Sequence, residues 1–228
     1  MKTDSYFNLW TKAFGLSPEE LSTGDLSIVS SGYYVERHQD KYVFSYKDEL
    51  LGKRVLAASE RNLATVRETS WLENHSPAFR DIDFCLADKN SFLKVTGDFY
   101  IRPLFNHQEA ELESFYQDCS EDDKDTLDLT FENETVLGLY QNNLLAGVAR
   151  FVPIRNTSIA DITVLVRNEM RGRGFSAPLV SRLVELILAE GLLPKYRVGE
   201  TNLASIAVAK RLGFYPRFRV LAWDMEAC

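Results

Sequence analysis

The sequence contains no uninterrupted run of about 18 apolar residues, the length a membrane-crossing helix needs, and no pair of cysteines at CxxC spacing. Its three cysteines, Cys85, Cys119 and Cys228, are odd in number and far apart, so neither a disulfide framework nor a thiolate metal site is expected. Histidine is as scarce, and His38, His75 and His107 stand singly, so the chemistry is expected to need no metal. Positive charge is also short. The 26 Lys and Arg face 33 Asp and Glu, and the resulting net charge of -7 repels a phosphate backbone, so nucleic acid is not an expected partner. The opening MKTDSYFNLW places polar residues where a signal peptide requires an apolar stretch, which reads as a cytoplasmic protein with no membrane partner. No internal repeat is visible, which sets a solenoid aside.

What is present is a globular composition, 45% hydrophobic and 26% charged, over 228 residues, enough for one large domain or two small ones. The texture changes near residue 98. Residues 1–98 open with Phe7, Trp10 and Phe14 at helical spacing and continue with strand-like runs at 42–46 and 54–57. Ser59 can cap a helix that turns Leu63 and Val66 inward, but this half carries no chemical motif. Residues 99–228 are sharper. A strand at 100–104 precedes a helix for which Asn106 and Glu109 are capping candidates and which buries Leu112, Phe115, Tyr116 and Cys119. Strands at 134–140, 144–152 and 158–166, joined through Asn142-Asn143 and Arg155-Asn156-Thr157, form an antiparallel meander. A helix with Leu179, Val180, Leu183, Val184, Leu186 and Ile187 on one face ends at Gly191. A strand at 196–199, a helix at 203–212 and a strand at 214–225 complete an α/β pattern.

The chemically informative segment joins the third meander strand to that long helix and reads Val164-Leu165-Val166-Arg-Asn-Glu-Met-Arg171-Gly172-Arg173-Gly174-Phe175-Ser176. A helix start carries unpaired amides and partial positive charge, and glycines let an anion approach the backbone. The segment lacks the Lys-Ser/Thr of a phosphate-binding P-loop and the third glycine of a dinucleotide fingerprint, which ranks ATP or NAD binding at Gly172-x-Gly174 low. Downstream stands Glu200-Thr-Asn202-Leu-Ala-Ser205, followed by Leu212-Gly213-Phe214.

Taken together, Arg171, Gly174 and Ser176 resemble the Gln/Arg-x-x-Gly-x-Gly/Ala motif of the GNAT acyltransferase superfamily, with serine in the last small position. Asn202, Ser205 and the Leu212-Gly213-Phe214 ending are similar to its second motif. The resemblance covers residues 99–228 and implies a mixed α/β fold with a central mixed sheet flanked by helices. Residues 1–98 form a smaller α/β unit before it, for which a degenerate copy of the same architecture is one expectation. The implied reaction moves an acetyl group from acetyl-CoA to a small-molecule or protein amine, directly and in a ternary complex, with no metal.

The same resemblance assigns the backbone of Val164, Leu165 and Val166 to the pantetheine arm. It gives the pyrophosphate to the amides of Arg171, Gly172, Arg173, Gly174, Phe175 and Ser176, and sets Asn202 and Ser205 beside the cofactor. Asn202 can equally serve as a helix cap. Two features depart from the family. The tyrosine that protonates the leaving thiolate in many members is replaced by Ala209, and the glutamate of the central strand by Ala160, with Asp161 next door but turned to the opposite face. Glu200 is therefore the first candidate proton acceptor, Asp161 the second, and Ser205, Tyr215 or water the donor. The acidic stretch Glu121, Asp122, Asp123, Asp125 and Asp128 reads as a solvated loop in preference to a patch that attracts a cationic amine. A module that binds acyl-CoA without turnover is the alternative, and the acceptor and oligomeric state stay open.

Overall fold

The computed structural model describes residues 12–16, 26–30, 41–50, 52–66, 69–132 and 134–226. Phe7, Trp10, His38 and Cys228 lie outside them. In chain order the elements are β1 (Leu26–Val29), β2 (Tyr42–Asp48), β3 (Arg54–Ala57), α1 (Glu60–Val66), α2 (Thr69–Asn74), β4 (Phe79–Cys85), β5 (Tyr100–Pro103), α3 (Glu109–Tyr116) and α4 (Glu121–Leu127). There follow β6 (Thr135–Gln141), β7 (Leu144–Pro153), β8 (Ile159–Val166), α5 (Ser176–Ala189), β9 (Leu193–Gly199), α6 (Leu203–Arg211) and β10 (Tyr215–Asp224). The strands form one mixed sheet in the order β1-β3-β2-β10-β4-β9-β8-β7-β6-β5. This is the mixed α/β architecture that the sequence implied.

The expected meander is β6, β7 and β8, and its first turn holds Asn142 and Asn143 at φ 52° and 62°, a conformation that asparagine tolerates. Helix α5 lays Leu179, Val180, Leu183, Val184 and Ile187, all fully buried, on one face of the sheet. They pack against Leu137, Phe151, Ala160, Ile162, Tyr196 and Val198. The opposite face has its own core, with Phe14, Phe44 and Tyr46 against Cys85, Ile159, Phe218 and Val220. Residues 1–98 and 99–228 share the sheet, so the expected division at 98/99 falls within continuous strand pairing.

Strand β4, which the sequence did not announce, lies between β9 and β10 and runs antiparallel to both. Its sequence, FRDIDFC, alternates apolar and charged residues, yet Asp83 has no exposed side-chain surface. Two further expectations are corrected. Asn106 lies in the turn before α3, and the N-cap is Gln108, whose side-chain oxygen accepts from the Phe105 amide at 3.0 Å. The acidic stretch from Glu121 is not a loop. It forms α4, because Ser120 and Asp123 build a reciprocal capping box and Glu121, Asp122 and Asp123 lie at the positive end of the helix dipole.

A chain beginning at residue 99 leaves β9 and β10 facing an empty slot, with unpaired backbone groups on both edges. Such a chain is expected to be insoluble or to unfold without a cooperative transition. A soluble 99–228 fragment with one sharp urea transition would show that the slot does not need β4.

Candidate functional site

The site begins where two neighbouring strands part. β8 and β9 pair in parallel from Ile159↔Leu193 to Ile162↔Tyr196 and no further, although β8 continues to Val166 and β9 to Gly199. Beyond that point β8 stays with β7, and β9 stays with β4, where Arg197 faces Asp83 and Gly199 faces Asp81. The edge of β8 from Thr163 to Val166 therefore borders a gap instead of a strand.

Two cavities meet at this gap. One, of about 340 Å³, is lined by Val164, Leu165 and Val166, by Arg171, Gly172, Gly174, Phe175 and Ser176, and by Asn202 and Ser205. These are the residues singled out for the cofactor, except Arg173, which does not line it. The other, of about 440 Å³, shares Thr126, Val164, Asn202 and Ser205 with the first and adds Asp81, Asp161, Tyr196 and Arg197. A shallower groove of about 250 Å³ continues between α5 and α6 as far as Arg211.

The loop before α5 has the geometry of an anion cradle. Gly172 and Gly174 adopt φ 76° and 81°, which favours glycine, and no atom stands within 4 Å of where either Cβ would be. Among the described residues, the amides of Gly172, Arg173, Gly174 and Phe175 make no backbone hydrogen bond, and Phe175 at the N-cap supplies no side-chain cap. Arg171 differs from expectation. Its Nε donates to the Val166 carbonyl at 3.1 Å and its Nη2 lies 2.8 Å from Asp123 Oδ2, so its charge clamps the loop to α4. Burial pushes the Asp123 carboxyl up, but hydrogen bonds from Ser120 and Arg171 more than reverse this and hold it below the ordinary range. Across the cleft, the Asn202 side chain caps α6 by accepting from the Ser205 amide at 3.0 Å.

Of the candidate proton acceptors, Asp161 lines the larger cavity and Glu200 does not. Glu200 lies 3.7 Å from Arg219 Nη1 instead, and Tyr215 on β10 lines neither cavity. Ala160 faces the α5 core while Asp161 turns to the opposite face, as alternation on an unbulged strand requires. Asp161 Oδ1 meets Lys195 Nζ at 2.9 Å. Lys195 is fully buried and also lies 3.6 Å from Asp83, which receives Arg197 bidentately at 2.7 and 3.0 Å. Burial alone raises the Asp83 carboxyl, yet Arg197 and then Lys195 leave it below its ordinary value.

Two cavity residues were missed by sequence reasoning. Asp81 lines the larger cavity from β4. Tyr196 Oη is buried and makes no well-formed hydrogen bond among the described residues. Burial raises this phenol, and the neighbouring Ser205 side chain partly offsets the rise. Its sequence signal was only a tyrosine in a strand, which reads as core.

Residues 101–214, half of the chain, match the family model described as the Acetyltransferase (GNAT) family. The fold is similar to that of a GCN5-related N-acetyltransferase from Kribbella flavida, with 15% identity and a TM-score of 0.52 over 74% of this chain and 66% of the other. It is similar also to an acetyltransferase of the GNAT family from Colwellia psychrerythraea, with 15% identity and a TM-score of 0.55 over 81% of this chain and 65% of the other. The match thus spans just under two thirds of each of these proteins, and at such identities the likeness is one of fold. A search of curated proteins finds no match.

The buried charges give a stability test. Asp83→Asn strips Arg197 of its bidentate acceptor and leaves a fully buried lysine with less negative charge, which should cost roughly 3–5 kcal/mol at neutral pH. Because the Asp83 carboxyl is lowered in the fold, its stabilisation is present above the ordinary carboxylate pKa and fades as pH falls toward the lowered value. Urea unfolding across an acid pH series should show a weaker pH dependence in Asp83→Asn. An unchanged profile would mean that Asp83 titrates alike in both states.

Proposed function

The chain belongs to the acetyltransferase (GNAT) family, and from that premise we propose that it transfers an acetyl group from acetyl-CoA directly to an amine acceptor within a ternary complex. The observation that carries this reading is the unpaired edge of β8 at Thr163–Val166, which runs into a cleft closed by the start of α5. A pantetheine arm contains amides that can pair with such an edge as an added strand does, and a pyrophosphate suits the free amides between Gly172 and Ser176. The cleft and the loop geometry fit that molecule, and Asn202 and Ser205 would flank it from α6.

The larger cavity is the place for the acceptor. An amine attacks a thioester through its lone pair, so an ammonium must lose a proton first, and backbone polarisation and positioning supply the rest of the rate enhancement. Of the two carboxylates the sequence offered for that proton, Asp161 lines this cavity but is paired with Lys195, and Glu200 is drawn to Arg219. On the leaving side, Ser205 lines both cavities and is the candidate donor to the departing thiolate, with the Tyr196 hydroxyl behind it. The position that carries tyrosine in many relatives is Ala209, which is fully buried among apolar groups.

Thiol release from acetyl-CoA in the presence of n-butylamine, spermidine, an aminoglycoside, L-lysine and a short peptide tests the reaction. Calorimetry should find one acetyl-CoA per chain. Binding without thiol release in every case would favour a binding module over an enzyme. Gly174→Val is expected to weaken acetyl-CoA binding at least tenfold, or about 1.4 kcal/mol, since a branched side chain at φ 81° is strained and stands over the cleft. Wild-type affinity in a folded Gly174→Val protein would remove the loop from the site.

A further inference from the structure

We propose that Asp81 on β4 holds the ammonium of the acceptor and takes the proton released when the amine attacks. The inference rests on the acetyl-transfer reading above, and its first support is position. Asp81 lines the larger cavity together with Asp161, Asn202 and Ser205. It faces Gly199, whose missing side chain leaves room, since a Cβ built there would lie 3.9 Å from Asp81 Oδ1 and 4.0 Å from the Asn202 side chain. The carboxylate therefore stands beside the mouth of the gap where the two cavities join.

The second support is the distribution of charge. The neighbouring carboxylates are committed: Asp83 to Arg197 and Lys195, Asp161 to Lys195, Glu134 to Arg150 at 2.6 Å, and Glu200 to Arg219. Asp81 makes no hydrogen bond or ion pair through its side chain among the described residues. A half-buried carboxylate in a solvent-reachable cavity, with its neighbours' cations already taken, is a site for a cation, and the acceptor in its resting form is one.

The groups that face Asp81 act in both directions. Burial raises its pKa most, Arg197 on β9 lowers it, Asp83 on its own strand raises it, Lys195 lowers it and Glu200 raises it, leaving it above the ordinary value. Asp161 on β8 and the Tyr46 hydroxyl on β2 belong to the same cluster. Arg219 on β10, the strand on the other side of β4, is exposed and paired to Glu49 and Glu200. A carboxyl raised in this way is a stronger base than an ordinary aspartate.

In the step itself, the bound ammonium first gives a proton to the Asp81 carboxylate, which releases it to solvent through the open cavity; the amine lone pair so freed forms the new C–N bond at the thioester carbonyl, and a second N–H proton then passes to Asp81. The C–S bond then breaks, its electron pair leaves with sulfur, and sulfur takes a proton from the Ser205 hydroxyl, which regains one from solvent in the cavity. Asp81 returns its proton to solvent through the open cavity.

The test is Asp81→Asn and Asp81→Glu in the full chain, with the best amine of the panel and acetyl-CoA. Asp81→Asn should lower kcat/KM for the amine roughly 100-fold or more at neutral pH. It should abolish the acid limb of the pH profile, where protonation of Asp81 silences the wild type, and leave acetyl-CoA affinity unchanged by calorimetry. Asp81→Glu should recover part of the rate and restore an acid limb. A purely structural role would move neither the limb nor its recovery. If Asp81→Asn binds acetyl-CoA and keeps the wild-type rate and profile, this inference falls and the acetyl-transfer reading stands. If the wild type transfers to no amine, both fall.

Discussion

Lys195 is buried completely, and a buried ammonium persists only where carboxylates meet it. Its two acceptors come from different strands, Asp161 from β8 and Asp83 from β4, and Asp83 in turn grips Arg197 two residues further along β9. This cluster therefore ties three strands together at the level where β8 and β9 still pair. Beyond it the balance tips. Arg197 holds β9 to β4 through a bidentate ion pair directly across the ladder, and β9 stays with β4 there while it parts from β8. The gap that defines the candidate site thus opens immediately beyond the buried charges.

That arrangement requires β4, and so makes the first 98 residues part of the site's architecture. With β4 between β9 and β10, both of those strands have a neighbour on each side and the strand order runs unbroken from β1 to β5, although β8 and β9 part at one end. The buried pair of Arg217 and Asp48, at 2.7 Å, couples β10 to β2 in the same manner as Asp83 couples β4 to β9. An account that treats residues 99–228 as sufficient omits the strand carrying Asp81 and Asp83.

The parts of the fold legible in the sequence are those whose pattern is local. The meander, with its Asn-Asn turn, and the apolar face of α5 follow from periods of 2 and 3.6 and from turn chemistry. The glycine loop and the Asn202 cap were legible for the same reason, since both are short-range backbone requirements. Strand β4 was not, because Arg80, Asp81 and Asp83 give it the look of a surface segment, and the burial of Asp83 depends on a cation, Arg197, 114 residues away in the chain. Arg171 was misjudged for a related cause. Its partner Asp123 stands in a stretch that reads as a solvated loop until the Ser120 capping box makes it a helix beside β8.

The parity of the strands decides how two substrates can meet. Ala160, Ile162, Tyr196 and Val198 point to the face covered by α5, while Ile159, Cys85, Val220 and Tyr46 point to the other. Asp81 and Asp83 alternate with Ile82 and Phe84, and Asp161 alternates with Ala160 and Ile162, so the carboxylates belong to the face away from α5. Asn202, Ser205 and the glycine loop belong to the α5 and α6 side. A continuous sheet would separate the two sets by its own thickness. The parting of β8 from β9 removes that barrier locally, so that under the proposed reading a thioester held against the β8 edge from one side could be approached by an amine from the other. The proposed direct transfer asks only that both substrates reach one place, and the parting of the strands provides it.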